Sequence, residues 1–176
     1  RAFPSTRLWD DREADDGVAA ASFMDGWDNT AILTRDKDFR MIPGIHVGWM
    51  HERIVHLPDG KAWEDSFQTT WDNDDEAWFG RQWFLLQLLQ GDTADNIPGV
   101  PKLPLGKDGK QVACGPVTAE KWLALMGPTP WAVVLGYQAY YGEQWAEALA
   151  EQAALLWMRR TAAADDFLVA FHSLPE

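Results

Sequence analysis

Carboxylates gather at three places along this chain. Glu13-Ala14-Asp15-Asp16 opens a stretch with helical patterning, and i, i+3 spacing puts Glu13 and Asp16 on one helix face with Asp15 beside them. Asp36-Lys37-Asp38 follows the apolar run Ala31-Ile32-Leu33, and on an extended backbone residues i and i+2 point the same way. Asp92 and Asp95 stand three apart in Gly91-Asp92-Thr93-Ala94-Asp95-Asn96-Ile97-Pro98-Gly99, a turn leaving an apolar helix. Each group also has an ordinary structural use. Acids at a helix start complement the helix dipole by roughly a few tenths of a kcal/mol each. Asp36-Lys37-Asp38 suits a solvated turn, and Asp92 and Asp95 suit side-chain capping of their own turn.

As a set, the three groups imply more. A helix start, a strand end and a helix exit are places that an α/β fold brings to one edge of a sheet. Carboxylates gathered there repel by roughly 4 kcal/mol per pair at about 4 Å and an effective dielectric near 20, so such a site calls for cations. Oxygen-only ligands favour hard ions, Mg²⁺ or Mn²⁺, which work in pairs on phosphate diesters. Other chemistry is weakly signalled. His46, His51 and His56 recur every five residues, a spacing that matches no common zinc motif. Cys114 has no base placed beside it by sequence, and Trp78, Trp83 and Trp122 fall on apolar helix faces that suit a core.

The elements that must position these groups read as follows. A helix is expected from about Asp10 to Met24, with Ala14, Val18 and Ala21 on its apolar face. Ala31 to Leu33 reads as a short buried strand. Pro43-Gly44 marks a turn, and His46 to Met50 and Arg53 to Leu57 suggest two more strands before Pro58-Asp59-Gly60. Asn73 to Glu76 resembles a helix start, leading into an almost wholly apolar helix from Ala77 to Gln90. Asp92 to Pro116, rich in Pro and Gly, reads as a loop with tight turns. Helices are then expected over Val117–Met126, Trp131–Tyr141 and Glu143–Arg160. The expected class is α/β: a sheet part over about 1–90, a helical part over about 91–160, and one domain over 1–176.

Composition bounds the setting. The chain has 176 residues, 47% hydrophobic and 24% charged, which suits a globular core. No run of about 18 apolar residues offers a membrane span, and Arg1-Ala2-Phe3-Pro4 does not read as a signal peptide. A single cysteine excludes an internal disulfide framework, so a reducing cytoplasm is the expected location. The net charge of −12 argues against nonspecific polyanion binding, but metal-holding carboxylates would contribute to that total. Against this background, Lys102, Lys107, Lys110 and Lys121 are four of the six lysines. They form a local basic stretch opposed by Asp108 and Glu120, suited to phosphate contacts or to a solvated loop.

The order Glu13-Ala14-Asp15-Asp16, then an apolar strand with Thr34-Arg35-Asp36-Lys37-Asp38, then Gly91-Asp92-x-x-Asp95-Asn96-Ile97-Pro98-Gly99, resembles the 5′–3′ exonuclease and flap-endonuclease family, closest to its bacteriophage and bacterial branch. The resemblance spans roughly Arg7 to Arg160. It implies a Rossmann-like (PIN-like) sheet followed by a helix–three-turn–helix that grips duplex DNA. It also implies two Mg²⁺ or Mn²⁺ ions held by Glu13, Asp15, Asp16, Asp36, Asp38, Asp92 and Asp95 as the catalytic set. Gly99, Lys102, Lys107, Lys110, Gly115 and Lys121 would meet DNA, with a K⁺ ion in the helix–three-turn–helix. An insertion, Pro101 to Ala113, replaces the family's short Gly-x-Gly loop. The family's first strand, with its aspartate motif, and its basic arch have no match before Glu13. The chain therefore resembles the carboxyl-terminal two-thirds of such an enzyme, and is expected to need a partner chain or segment supplying that strand. Two alternatives remain: a non-catalytic DNA-structure-binding module of the same fold, and a carboxylate-rich metal-binding domain unrelated to DNA.

Overall fold

The computed structural model describes residues 8–27, 29–48, 54–57, 69–71, 75–78, 80–163 and 165–171. It is a mixture of helix and small sheets. Helix α1 (Ala14–Asp25) is followed by strand β1 (Ala31–Thr34), a 3-10 helix (Lys37–Met41), and strands β2 (Gly44–Gly48) and β3 (Ile54–Leu57). β1 and β2 run parallel, Ala31 opposite Ile45, and β3 returns antiparallel to β2. The crossover between the parallel strands is short because its 3-10 helix is pinned by buried Phe39 and Met41. That pinning fixes Asp36, Lys37 and Asp38 directly beyond the end of β1.

Strands β4 (Thr69–Trp71) and β5 (Asp75–Ala77) form a separate antiparallel ribbon. The stretch expected to start a helix at Asn73–Glu76 is thus strand at Asp75–Ala77, and helix α2 begins later, at Gly80, and runs to Gln90. Every residue from Gln82 to Leu89 is buried. α2 is the central helix, packed by the 3-10 crossover and by α3 (Pro116–Met126), α4 (Pro130–Tyr141) and α5 (Trp145–Leu156). Its leucines and aromatics each contribute roughly 1.5–3 kcal/mol on burial, which explains why the helix holds two glutamines, Gln82 and Gln87, without being expelled to the surface.

The Pro/Gly-rich segment is more ordered than a loop. β6 (Lys102–Leu103) pairs with β7 (Val112–Ala113) as a two-stranded ribbon, with a 3-10 turn (Lys107–Gly109) at its tip. The last long helix is shorter than expected: Gly142–Gln144 is 3-10, α5 stops at Leu156, and Trp157 caps it in an extended conformation. A 3-10 segment, Asp166–Phe171, closes the described chain.

Two expectations for the first elements fail for one reason. α1 begins at Ala14, and its buried positions are Asp16, Gly17, Ala19, Ala20 and Ser22, whereas Val18 is exposed. β1 buries only Ile32, and Leu33 is 57% exposed. Small or few apolar side chains give weak periodicity, so tertiary packing chose the face. Trp83 and Trp122 lie in the core as expected, while Trp78 precedes α2 and is partly buried against it. His46 is buried in β2 with Nε2 2.8 Å from the Ile42 carbonyl; the His56 side chain and His51 lie outside the described residues. One cluster of buried apolar side chains runs from Ala19 and Ile32 through α2 to Ala170. Among the described residues no helix is long and apolar enough to cross a membrane.

Candidate metal centre

Among the described residues, three of the aspartates form a tight group. Asp38, Asp92 and Asp95 each offer a carboxylate oxygen within 4.8 Å of the others. Asp92 is placed by the exit from α2. Gly91, at φ +73°, turns the chain, and Asp92 and Ile97 exchange backbone hydrogen bonds of 2.8 Å that close the Asp92–Ile97 turn. The Asp92 carboxylate also accepts from the Ala94 N–H at 2.9 Å, so the capping role read from sequence is real and coexists with membership of the group. One oxygen of Asp38 is held by two donors. Lys37 Nζ donates to it at 3.2 Å, and Gln87 Nε2 donates from the buried face of α2.

Lys37 contacts Asp92 as well, so one ammonium bridges the pair. Its effects are unequal. Burial would raise the Asp92 carboxyl, but Lys37 and the N–H groups of Ala94 and Asp95 outweigh it and hold Asp92 below the ordinary carboxylate value. At Asp38 burial wins, aided by Asp36, and Lys37 only partly offsets the rise. Burial opposes the charge on Lys37 too, yet the two aspartates raise its ammonium above the ordinary lysine value.

A cleft of about 330 Å³ adjoins this group. Glu13, Asp15 and Asp16 line one side from the start of α1, Asp38 and Asp95 another, and Ala154–Arg159 close it from the end of α5. Asp16 is already engaged. Its two oxygens accept from the backbone N–H and the Nε of Arg159, at 2.7 and 2.8 Å. The Asp15 side chain accepts from the neighbouring Asp16 N–H at 2.8 Å.

Of the seven carboxylates singled out from sequence, five line the cleft and Asp92 joins through Asp38 and Asp95. Asp36 stands apart. It is exposed and caps the 3-10 crossover, accepting from the Asp38 N–H at 2.9 Å. The backbone turns into a 3-10 helix at Lys37, so i and i+2 do not project together as they would on an extended chain. The structure adds three residues to which the sequence assigned no site role: Lys37, Gln87 and Arg159. Lys37 sits in plain view between two aspartates, and Gln87 is a polar interruption of an apolar helix, so both carried a signal. Arg159 carried none, because its partner lies 143 residues away.

No family model matches this chain, and no curated protein or solved structure matches it either. The candidate metal centre therefore rests on the geometry of its own side chains. Donors that are all oxygen, carry net negative charge and converge within 4.8 Å suit a hard divalent ion. Gln87 strengthens the fit: it is fully buried, its amide lies on Asp38, and its Oε1 has no hydrogen-bond partner among the described residues.

The residues singled out for DNA are dispersed differently. Lys102 is exposed on β6, Lys107 and Lys110 are exposed around the ribbon tip, and Lys121 is exposed on α3. Gly115 is the N-cap of α3, whose first turn holds no acid and receives no side-chain cap. Gly99 is buried against the end of α2, with φ +63°; its place is in the packing of the turn. Cys114 donates to the Leu89 carbonyl at 3.4 Å, and burial pushes its thiol up to about 11, which makes it a poor nucleophile.

Proposed function

We infer that this protein is a divalent-metal-dependent nuclease of the 5′–3′ exonuclease and flap-endonuclease type, acting on DNA phosphodiesters. The observation that carries the reading is the gathering of Glu13, Asp15, Asp16, Asp38, Asp92 and Asp95, from three distant stretches of sequence, around one cleft. In this reading Asp38, Asp92 and Asp95 hold the ion on the α2 side, and Glu13 and Asp15 face it from α1. Asp16 has a second task, tying α1 to the segment after α5 through Arg159. Two bound Mg²⁺ or Mn²⁺ ions would supply water activation, a hold on the scissile phosphate and neutralisation of the leaving 3′ oxygen. The exposed lysines of the β6–β7 ribbon and α3, with the uncapped start of α3, supply phosphate contacts. The open edge of β1, which among the described strands pairs only with β2, supports a partner strand added there.

A second reading has an observation of its own. Lys37 and Arg159 already neutralise part of the acidic group without a metal, which suits a non-catalytic module that binds DNA structures. One experiment separates the two. Duplex DNA with a 5′ end or flap, incubated with the protein, a peptide supplying the absent strand and Mg²⁺, should be cut, with Asp92→Asn lowering the rate by at least about 10²-fold. Binding of the same DNA in EDTA without any cutting in Mg²⁺ selects the non-catalytic reading; neither binding nor cutting removes both.

A further inference from the structure

The ammonium of Lys37 occupies a position that the nuclease reading does not use. It lies between Asp38 and Asp92, two of the three carboxylates that converge within 4.8 Å, and it is carried on the 3-10 helix that also presents Asp38. The carboxylate of Asp92 is buried, yet the Lys37 side chain is nearly half exposed, so its head is inserted into the group from the solvent side. The fully buried Gln87 donates its amide to the same Asp38 oxygen as Lys37 and leaves Oε1 without a hydrogen-bond partner among the described residues. That oxygen is unsatisfied while Lys37 pairs with Asp38 and Asp92, although a buried polar atom normally finds a partner. A divalent ion with its bound waters offers one.

We propose that Lys37 is a tethered counter-cation that competes with divalent metal for Asp38 and Asp92, and that metal enters by displacing its ammonium into solvent. The proposal rests on the metal-centre reading above and adds a regulation to it. With no metal, Lys37 offsets the repulsion among the three carboxylates and holds the turn in place. With metal, its flexible stem lets the ammonium swing out while the backbone stays fixed. The protein therefore sets a threshold: it ignores divalent ion at low concentration and loads metal only with the release of an internal ion pair. A monopositive group held within hydrogen-bond distance of the ligands should lower divalent affinity on the order of tenfold or more at an effective dielectric near 20.

Calorimetric titration with Mn²⁺ tests this on the full chain, with Lys37→Met as the charge-free replacement and Asp92→Asn as the control. The expected result is Mn²⁺ binding that Asp92→Asn abolishes and that Lys37→Met tightens by about tenfold or more. In parallel, acetylation of the wild-type lysines by an activated ester, read by peptide mass spectrometry, should label Lys37 slowly in EDTA. Saturating Mg²⁺ should accelerate that labelling several-fold relative to Lys121. Equal or weaker Mn²⁺ binding by Lys37→Met, with the Asp92 dependence intact, overturns the competition and leaves the metal centre standing. No Asp92-dependent binding by either chain overturns both, leaving Lys37 as a structural ion pair. If Lys37→Met does not fold, the labelling decides: a Lys37 rate unchanged by saturating, Asp92-dependent metal overturns the proposal.

Discussion

Asp16 and Asp38 line the same cleft but stand in opposite energetic positions. Asp16 accepts two hydrogen bonds from Arg159, one of them from its guanidinium, and is nearly buried. Asp38 is held where its charged form is disfavoured, since burial and Asp36 raise its carboxyl. In EDTA, Asp16→Ala should therefore lower the unfolding free energy by about 1–3 kcal/mol, toward the low end because Arg159 is one-third exposed. Asp38→Asn should change it by less than about 1 kcal/mol or raise it, because it removes a repelled charge and keeps an acceptor. Urea unfolding followed by tryptophan fluorescence measures both. His46 provides a separate handle. Burial holds its imidazole below the ordinary value, with the Ile42 carbonyl only partly opposing. The unfolded chain then binds the proton more readily, so the His46 contribution to stability is complete above about pH 6.5 and is lost as the pH falls toward the folded-state value. His46→Gln should flatten the decline in unfolding free energy between about pH 7 and 5.5 that the wild type shows.

Elements with many large apolar residues were legible in the sequence, and elements built from small ones were not. α2, α3 and α4 lie within a few residues of where leucine, tryptophan and valine spacing puts them. α1 is rich in alanine, and its buried face follows packing. β5 was misread because an acidic run before an apolar helix looks like a helix start, while the pairing partner that makes it a strand, Thr69–Trp71, has no strong local signal. The site divides in the same way. The carboxylates were readable because charge and order along the chain identify them. Asp36 was misplaced because the 3-10 turn at Lys37 cannot be told from an extended strand end by sequence. The turn after α2 is the element with least tolerance. A side chain at Gly99 would press on the Gly91 backbone and meet the Leu89 carbonyl at 2.6 Å, in a backbone region that L residues rarely adopt. Gly99→Ala should cost at least about 2 kcal/mol, and it should reduce Mn²⁺ affinity with it, because the same turn presents Asp92 and Asp95. Thermal denaturation and Mn²⁺ titration check the two halves.

At the level of the whole molecule, the −12 net charge and the lysines of the β6–β7 ribbon pull in opposite directions. Under the nuclease reading, DNA binding should weaken as salt rises to the extent that these lysines neutralise phosphates. Replacing Lys102, Lys107, Lys110 and Lys121 with alanine should reduce the slope of log affinity against log salt by about 0.9 for each lysine that neutralises a phosphate. An unchanged slope, measured by fluorescence anisotropy, assigns these lysines to solvent. The Asp16–Arg159 clamp has a consequence for the order of assembly. Its two halves are separated by 143 residues, while Asp38, Asp92 and Asp95 are all synthesised well before Arg159. A chain emerging from the ribosome therefore has one wall of the cleft, from α1, long before it has the other. Closing that wall is a long-range event, slow by its nature. The cleft is therefore walled on both sides only once Arg159 has been added.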